Sequence, residues 1–420
     1  MADVQPMGLG LAHVVFLERA VREEASSQSR FGQAAFLVLR LVDLLGAPST
    51  DERSADQFGY QAAATARYCS EQLEPGPEMD RLLDIVSSAA HAHRRRNTNL
   101  IAAAMLDLSR DLIAASRFEE ALDVLVTFER SAGAQIEPSA AITVAMLTGR
   151  TKRLAARFDE AEVAYRHAGR LSAAVSDRRM EAFSRLGCAI VLQSRGNLPE
   201  AEREYLRLLE DARALADRSL EGQVEHGLGV VLGNRGQIPD SVPHFWRAFE
   251  LLEDDPEEAL ASLSNLGYSF GRLGLVESAE RAFRFVLQRA HRVEVINNCM
   301  VELMHCASYR RDRVGFARWS SECTRAVATM QPNTLTDYHL KLGIGLARFG
   351  RFDRSPNELR LALDVARAHG LHEFEFRIER IAAGLNACEQ MQAEHEAVVK
   401  TPAWAATIDA VSRALAGLVP

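Results

Sequence analysis

Apolar residues recur along most of the chain at spacings of three and four, which is the pattern of helices that bury one face. In residues 256–290 two such runs follow each other with a short turn between them. Gly267 and Phe270 fall on the first run, and Ala279 and Phe283 fall on the second. Small residues let two helices cross closely, while aromatic side chains fill the space beside the crossing. The stretch therefore predicts a pair of packed helices.

The same arrangement repeats between residues 97 and 370. Each predicted second helix has a small residue near its start, at intervals of 40, 40, 40, 38, 38 and 38 residues: Ala121, Ala161, Ala201, Ser241, Ala279, Ala317 and Ser355. An apolar residue stands three positions before each of them: Phe118, Phe158, Leu198, Ile238, Val276, Val314 and Phe352. So regular a period predicts a stack of similar helix pairs.

Two further columns keep the same register. Twelve positions before the small residue stand Ser109, Gly149, Ala189, Gly229, Gly267, His305 and Gly343. Four positions after it stand Leu125, Tyr165, Tyr205, Phe245, Phe283, Ser321 and Leu359. Only His305, which is not small, and Ser321, which is not large and apolar, depart from these columns, and both belong to one repeat.

The order Leu-Gly-x-x-aromatic and then Ala-x-x-x-Phe resembles the tetratricopeptide repeat. The resemblance implies an all-α fold, a right-handed α-solenoid of about ten antiparallel helix pairs whose first helices line the concave groove of a superhelix. Because that family's unit has about 34 residues, the longer units here predict a second helix about one turn longer. Units of this length resemble the helical arrays of bacterial signalling regulators.

The repeat signatures divide the chain into three predicted regions. Residues 1–96 form degenerate N-terminal repeats, including a loop and helix N-cap at residues 47–51, and residues 97–370 form the regular array. Residues 371–420 hold a long helical pattern that continues to about Val398 and then a closing helix. We expect these last helices to cap the array, because the final apolar face of a repeat stack needs a cover.

Composition narrows the classes of partner and compartment. The 49 basic and 57 acidic residues give a net charge of −8, which disfavours a general nucleic-acid-binding protein. Six cysteines occur without a Cys-x-x-Cys pair, as expected of a chain in the reducing cytoplasm. The apolar run from Leu9 to Leu17 is too short to span a bilayer, so the sequence predicts no membrane anchor.

Templates for catalysis and cofactor binding are missing from the sequence. It contains no Walker loop, no Gly-x-Ser-x-Gly and no His-Glu-x-x-His, so we expect neither an enzyme nor a cofactor, although a site within residues 1–96 remains the alternative. His369, His372, Glu373 and Glu375 include metal-ligand types, but their spacing matches no template and Gly370 favours a helix end.

The basic run from His91 to Arg96 has two interpretations. It could hold a phosphate or a nucleic acid, since cations neutralise phosphate charge. Cations at a helix C-terminus are also favoured by the helix dipole alone, which is the simpler explanation.

The groove-facing side of each first helix carries the candidate binding residues. Counting from the repeat register places twelve residues there: Arg110, Arg150, Arg153, Gln193, His226, Asn234, Asn265, Tyr268, Arg272, Arg310, Lys341 and Arg348. Eight of them form the predicted ligand site: Arg150, Asn234, Asn265, Tyr268, Arg272, Arg310, Lys341 and Arg348.

Two kinds of side chain in this set suit a peptide. An asparagine amide donates and accepts at once, so it can hold a peptide backbone whatever the peptide's sequence. Arg272, Arg310 and Arg348 share one register and can pair with carboxylates or phosphates. The alternative, that these arginines only form a solvated face near each turn, stays open at this stage.

The sequence thus predicts a scaffold or adaptor that binds a protein or peptide in its groove. If the arginines take part in binding, an acidic segment is the expected partner. A sensor for a signalling peptide is the alternative within the same class. Neither nucleic acid nor membrane is expected as a partner.

Overall fold

The computed structural model describes residues 12–22, 27–46, 52–388 and 405–418. All regular elements in these ranges are helices, so the all-α prediction is confirmed. The chain divides into two compact units, an N-terminal unit (Met1–Asn197) and a C-terminal unit (Leu198–Pro420), which are described separately. The loop and N-cap predicted at residues 47–51 and the last part of the predicted C-terminal helical pattern, residues 389–398, lie outside the described residues.

The N-terminal unit consists of consecutive antiparallel helices that pack mainly against their neighbours in the chain. The helices are α1 (Val14–Arg22), α2 (Ser27–Gly46), α3 (Glu52–Gln72), α4 (Pro77–Arg95), α5 (Ala102–Ala114), α6 (Phe118–Ala132), α7 (Pro138–Leu154), α8 (Phe158–Ala174) and α9 (Arg178–Ser194). Within the described residues, the segment 1–96 supplies four helices, α1 to α4.

The C-terminal unit continues with the same kind of element. Its helices are α10 (Leu198–Ala214), α11 (Arg218–Asn234), α12 (Ile238–Leu251), α13 (Pro256–Arg272), α14 (Val276–Arg289), α15 (Val293–Tyr309), α16 (Arg313–Ala326), α17 (Pro332–Arg348), α18 (Ser355–Ala368), α19 (His372–Cys388) and α20 (Ala405–Ala416). No helix among the described residues combines the length and the apolar character that a membrane span requires.

The two sequence columns of small and large residues pack directly against each other. A Cβ atom added to Gly229 would lie 2.7 Å from the Phe245 ring, and one added to Gly267 would lie 2.9 Å from the Phe283 ring. The same contact recurs between Gly149 and Tyr165 and between Gly343 and Leu359. Glycine is needed at these positions because the aromatic or leucine side chain occupies the space that a Cβ would fill.

In α16 the predicted register is wrong by one residue. Phe316, Trp319 and Cys323 are buried there, whereas Ala317 and Ser321 are exposed. The three buried residues lie at i, i+3 and i+7, a continuous apolar stripe, and burying it removes more apolar surface from water than burying Ala317 would. The small residue of this repeat is thus replaced by Phe316, whose ring meets Gly345.

The extra residues of each repeat lengthen the first helix at least as much as the second. The first helices α7, α9, α11, α13, α15 and α17 all have 17 residues. The second helices α12, α14, α16 and α18 have only 14. The prediction of a longer second helix is therefore wrong for these four repeats, whose first helices are three residues longer than their second helices.

The two C-terminal helices have different roles. Helix α19 packs against α17 and α18 and buries Ile378, so it covers the last helix pair. The sequence predicted that the closing helix would also cover the end of the array. Instead, α20 packs against α12 and α14. Its stripe of Ile408, Val411 and Leu415 is buried in the same core as helices α12 to α15.

A buried histidine joins three elements of the N-terminal unit. His13 Nδ1 lies 2.8 Å from Asp123 Oδ2 on α6, and its Nε2 lies 3.0 Å from Asp43 Oδ2 on α2. Burial alone would lower the pKa of His13, but the hydrogen bonds and charges of Asp123 and Asp43 outweigh it and raise the pKa above 6.5. Arg130 and Arg40 also face Asp43.

We expect the N-terminal unit to lose stability as the pH rises. A folded-state pKa above the unfolded-state value stabilises fully below about pH 6.5, and this stabilisation is lost as the pH rises through the raised pKa. Amide exchange of Val14–Arg22, measured from about pH 6 to about pH 9 and corrected for the intrinsic rate, should show falling protection. In a His13→Gln variant this pH dependence should disappear, and its survival would contradict the assignment.

Candidate ligand-binding site

A cavity of about 500 Å³ lies in the C-terminal unit beside the first helices of successive repeats. We call it the C-terminal cavity. Its lining comes chiefly from α13, α15, α17 and α19, with two residues from α14. The side chains that matter below are Tyr268, Arg272, Val276, Phe283, Asn298, Glu302, His305, Cys306, Asn333, Asp337, Lys341, Phe374 and Arg377.

Three charged groups form a buried cluster in this cavity. Lys341 and Glu302 are only 6% and 5% exposed. Lys341 Nζ donates to a Glu302 carboxylate oxygen and to Asp337 Oδ2, the latter at 2.5 Å. The ammonium also lies 5.6 Å from the centre of the Tyr268 ring. Because a buried charge without a partner is strongly destabilising, the cluster ties α15 to α17 in one arrangement.

Electrostatic attraction within the cluster keeps Lys341 charged and paired with Glu302 and Asp337. Burial alone would lower the pKa of Lys341, but the charges of Asp337 and Glu302 raise it, so the ammonium stays protonated. Burial raises the pKa of Glu302, and the Asp337 charge adds to this against the opposing effect of Lys341. Burial also raises the pKa of Tyr268 well above its usual range, so its phenol remains a neutral hydrogen-bonding group.

Two residues of the cavity lining each carry a buried polar atom without a hydrogen-bond partner. Among the residues that the structure describes, neither His305 Nδ1 nor Asp337 Oδ1 has a hydrogen-bond partner. Burial, together with the charges of Lys341, Arg348 and Arg377, holds the pKa of His305 well below 6.5, so its ring is neutral. An unsatisfied buried polar atom costs about 1–3 kcal/mol.

Amide side chains and cations surround this buried part. Asn298 is half-buried on α15, and its Oδ1 accepts a hydrogen bond of 2.7 Å from Thr334 Oγ1. Asn333 is exposed in the first turn of α17. Arg272 and Arg377 are exposed at the edge of the cavity. The cavity thus offers groups for a peptide backbone beside groups for an anionic side chain.

The structure brings together three of the eight residues predicted from the sequence. Tyr268, Arg272 and Lys341 all line the C-terminal cavity. Arg150 lies on α7 in the N-terminal unit, and Asn234 is exposed at the end of α11. A role for these two in ligand binding stays a prediction without a described cavity to support it.

Asn265 lies next to the cavity lining and contacts another predicted residue, His226. Ser262 Oγ donates to the Glu258 carbonyl, so it accepts the 2.7 Å hydrogen bond from His226 Nδ1. His226 Nε2 is then the acceptor for Asn265 Nδ2, at a long 3.5 Å. Burial lowers the pKa of His226 to about 4, so the ring is neutral and this arrangement persists at neutral pH.

The arginines predicted to share one register, Arg272, Arg310 and Arg348, have two different structural roles. Arg310 forms an ion pair of 2.6 Å with Glu280 on α14 and does not line the cavity. With Phe316 as the register residue, Arg310 lies six positions before it (316 − 310), as Arg235 does before Ser241 (241 − 235). Arg235 likewise pairs with an acid of the preceding second helix, Glu202. The prediction that Arg310 shares a register with Arg272 and Arg348 is therefore wrong.

The other two arginines lie seven positions before their register residues and donate to the preceding first helix. Arg272 donates to the Gly233 carbonyl at 3.2 Å, and Arg348 donates to Ser308 Oγ at 2.7 Å. Arg348 also stacks 3.5 Å from the centre of the Tyr309 ring. Of the remaining candidates in the N-terminal unit, Arg110 pairs with Asp107, while Arg153 and Gln193 lie on α7 and α9.

Sequence reasoning missed Glu302 and His305 because of the one-residue register error in α16. Counted from Phe316, Glu302 lies fourteen positions earlier (316 − 302), in the same column as Asn265 (279 − 265) and Lys341 (355 − 341). His305 then shares a column with Tyr268, at eleven positions, and Asn298 shares one with Asp337, at eighteen. The signal was present in the sequence but displaced by one residue.

Two other candidate sites have structural explanations. Gly370 adopts a positive φ of 64°, and the hydrogen bonds of its NH and of the Leu371 NH to Arg367 and Ala366 close α18 as a Schellman motif. In the described part of the chain no three His, Cys, Asp or Glu residues are grouped as a metal site requires. In the basic run, His93 stacks on Phe58 with ring centres 4.1 Å apart, and Arg96 ends α4 in a left-handed conformation.

Comparison with known proteins supports the fold. No family model matches the sequence, and no curated protein sequence matches it. The Rap conjugation gene regulator of plasmid pLS20, solved with the Phr* peptide, is 13% identical with a TM-score of 0.54, over 86% of this chain and 99% of that one. The apo quorum sensor NprR from B. thuringiensis is 13% identical with a TM-score of 0.51, over 83% and 91%.

These similarities define the class of protein. The chain shares the helical-repeat fold of these two proteins, so the fold implied by the resemblance in the sequence is confirmed. Sequence identities of 13% establish the shared fold only. What these two proteins bind or regulate is known for those proteins and is not transferred to this chain.

Proposed function

We propose that the protein binds a short peptide segment in the C-terminal cavity and acts as a peptide-responsive adaptor or sensor. The observation that carries the proposal is the C-terminal cavity itself, in which first helices of successive repeats bring amide side chains, a buried charge cluster and exposed arginines together. Two structures with the same fold are a regulator solved with a peptide and a quorum sensor, which favours this class.

The cavity favours a peptide that offers hydrogen-bonding groups at one position and an acidic group at another. Its lining carries three acidic residues (Glu294, Glu302, Asp337) and three basic ones (Arg272, Lys341, Arg377), so no single charge dominates. The backbone of the ligand would meet the amides of Asn298 and Asn333, and an acidic group would meet Arg272 and Arg377 at the edge. A volume of about 500 Å³ suits a few residues of peptide.

The same groups disfavour catalysis in this cavity. Cys306 is the one cysteine in its lining, and burial raises the pKa of that thiol to about 12, so it is protonated and a weak nucleophile. Lys341 is held protonated by two carboxylates and cannot serve as a base. We therefore propose a binding protein without a cofactor, acting in the cytoplasm.

The proposal is tested by selecting ligands and comparing matched variants. A library of random linear short peptides is displayed on phage, selected on the full-length protein, and the Kd of each enriched peptide is measured by calorimetry. An Asn298→Ala variant should weaken binding about tenfold, the effect of losing roughly 1.4 kcal/mol of hydrogen bonding. Asn197→Ala is the control, because this exposed asparagine lies outside the cavity.

We expect Arg377→Ala to weaken an acidic peptide and to reduce the salt dependence of its binding. Partly exposed ion pairs are screened over about 8 Å at physiological ionic strength, so removing one makes binding less sensitive to salt. Arg380→Ala is the matched control on the same helix, because Arg380 is exposed and does not line the cavity. Equal Kd values and equal salt dependences for both variants would remove Arg377 from the site.

A further inference from the structure

The C-terminal helix α20 contacts elements that lie far from it in the sequence. It packs against α12 and α14, and Ser412 Oγ lies 2.5 Å from Ser278 Oγ on α14. Its apolar stripe of Ile408, Val411 and Leu415 belongs to the same buried core as α12 and α14. A helix of 12 residues is marginal in water on its own, so its helical state depends on this docking.

Helix α14 lies between α20 and the C-terminal cavity. Val276 and Phe283 line the cavity, and because they are seven residues apart they share one face of α14. Ser278, which meets α20, lies two residues after Val276 and so points about 200° away around the helix, to the opposite side. One face of α14 thus completes the cavity while the other is held by α20.

Helices α12 and α14 belong to consecutive repeats and lie on either side of α13 in the chain. Both contact α13, which supplies Tyr268 and Arg272 to the cavity. In a repeat stack each unit contacts only its neighbours, so the spacing between two repeats is set by a single interface. By contacting both repeats, α20 adds a second connection across that interface.

We infer that α20 is a positioning element, which holds α12 and α14 at the spacing that completes the C-terminal cavity. The inference rests on the proposed function only for its effect on peptide affinity. Its structural part, the effect of α20 on α13 and α14, is measured without any ligand. By linkage, a peptide that favours the completed cavity also favours the docked state of α20.

The releasing variant is Val411→Asp in the full-length chain, which places a charge in the buried stripe. Hydrogen exchange should become about tenfold faster in α13 and α14 as well as in α20, the change that corresponds to roughly 1.4 kcal/mol. Ala414→Asp adds the same charge on the exposed side of α20 and should leave these rates unchanged. Faster exchange confined to α20 would overturn the inference.

A second variant guards against failure of the first to fold. Ser278→Cys with Ser412→Cys places two thiols where the hydroxyl oxygens now lie 2.5 Å apart, so mild oxidation can fix α20 in place. Oxidation should slow exchange in α13 and α14 and tighten any selected peptide, with the two single-cysteine variants as controls. Unchanged exchange on oxidation would also overturn the inference. Altered exchange without any peptide binding would instead retain it and reject the proposed function.

Discussion

Replacing Lys341 by alanine should destabilise the C-terminal unit by about 3–5 kcal/mol, the usual effect of removing one partner of a buried ion pair. The reason is that Glu302 and Asp337 would remain in a site with little access to water and without their cation. The loss would be measured by urea unfolding of the full-length chain, with hydrogen exchange to locate it in α15 and α17.

Lys152→Ala is the matched control for this prediction. Lys152 pairs with Glu160 at 3.1 Å, but that carboxylate is about half exposed, so the loss should be only about 0–1 kcal/mol. The Lys341 variant should also recover stability toward low pH. Without the Lys341 ammonium, the pKa of Glu302 in the folded state should rise further above its value in the unfolded state. A carboxyl group whose pKa is raised by folding stabilises the folded state most at pH values below its unfolded-state pKa. Equal losses for the two lysine variants would contradict the buried cluster.

Replacing Phe283 by alanine should cost about 3–5 kcal/mol, the range for truncating a buried phenylalanine. Phe283 is fully buried, packs against Gly267 and contacts the Tyr268 ring at 5.4 Å between centres. Because repeats depend mainly on their neighbours, protection from exchange should fall in α13, α14 and α15 and persist in the N-terminal unit.

Phe376→Ala provides the comparison for Phe283, since Phe376 is 69% exposed and its truncation should change stability by less than about 0.5 kcal/mol. A uniform loss of protection over both units in the Phe283 variant would show one cooperative domain and contradict the repeat architecture. The Phe283 variant should also weaken any peptide bound in the C-terminal cavity, because this side chain forms part of its wall.

The repeat fold could be predicted because its determinants are local. Gly267 and Phe283 are sixteen residues apart (283 − 267) and meet within one helix pair, so a fixed sequence period records the contact. The docking of α20 is not reflected in any such sequence period. Ser412 meets Ser278 across 134 residues, and an apolar stripe such as Ile408 and Val411 matches several faces equally well.

The candidate site was only partly predictable, and α16 explains why. The small-residue column pointed to Ala317, but burial of Phe316 and Trp319 shifted the helix face by one residue. That shift concealed that Glu302 lies opposite Lys341. It also made His305 look like a defective small residue, whereas it lines the cavity with an unsatisfied nitrogen. A position that breaks the repeat rule here marks the candidate site.

The most direct test of peptide binding in the C-terminal cavity is a hydrogen-exchange difference map of the full-length protein, free and saturated with a peptide selected from the random library. Binding in this cavity predicts added protection in α13, α15, α17 and α19, with the N-terminal unit unchanged. Protection confined to the N-terminal unit, or none in these four helices at saturation, would contradict the account.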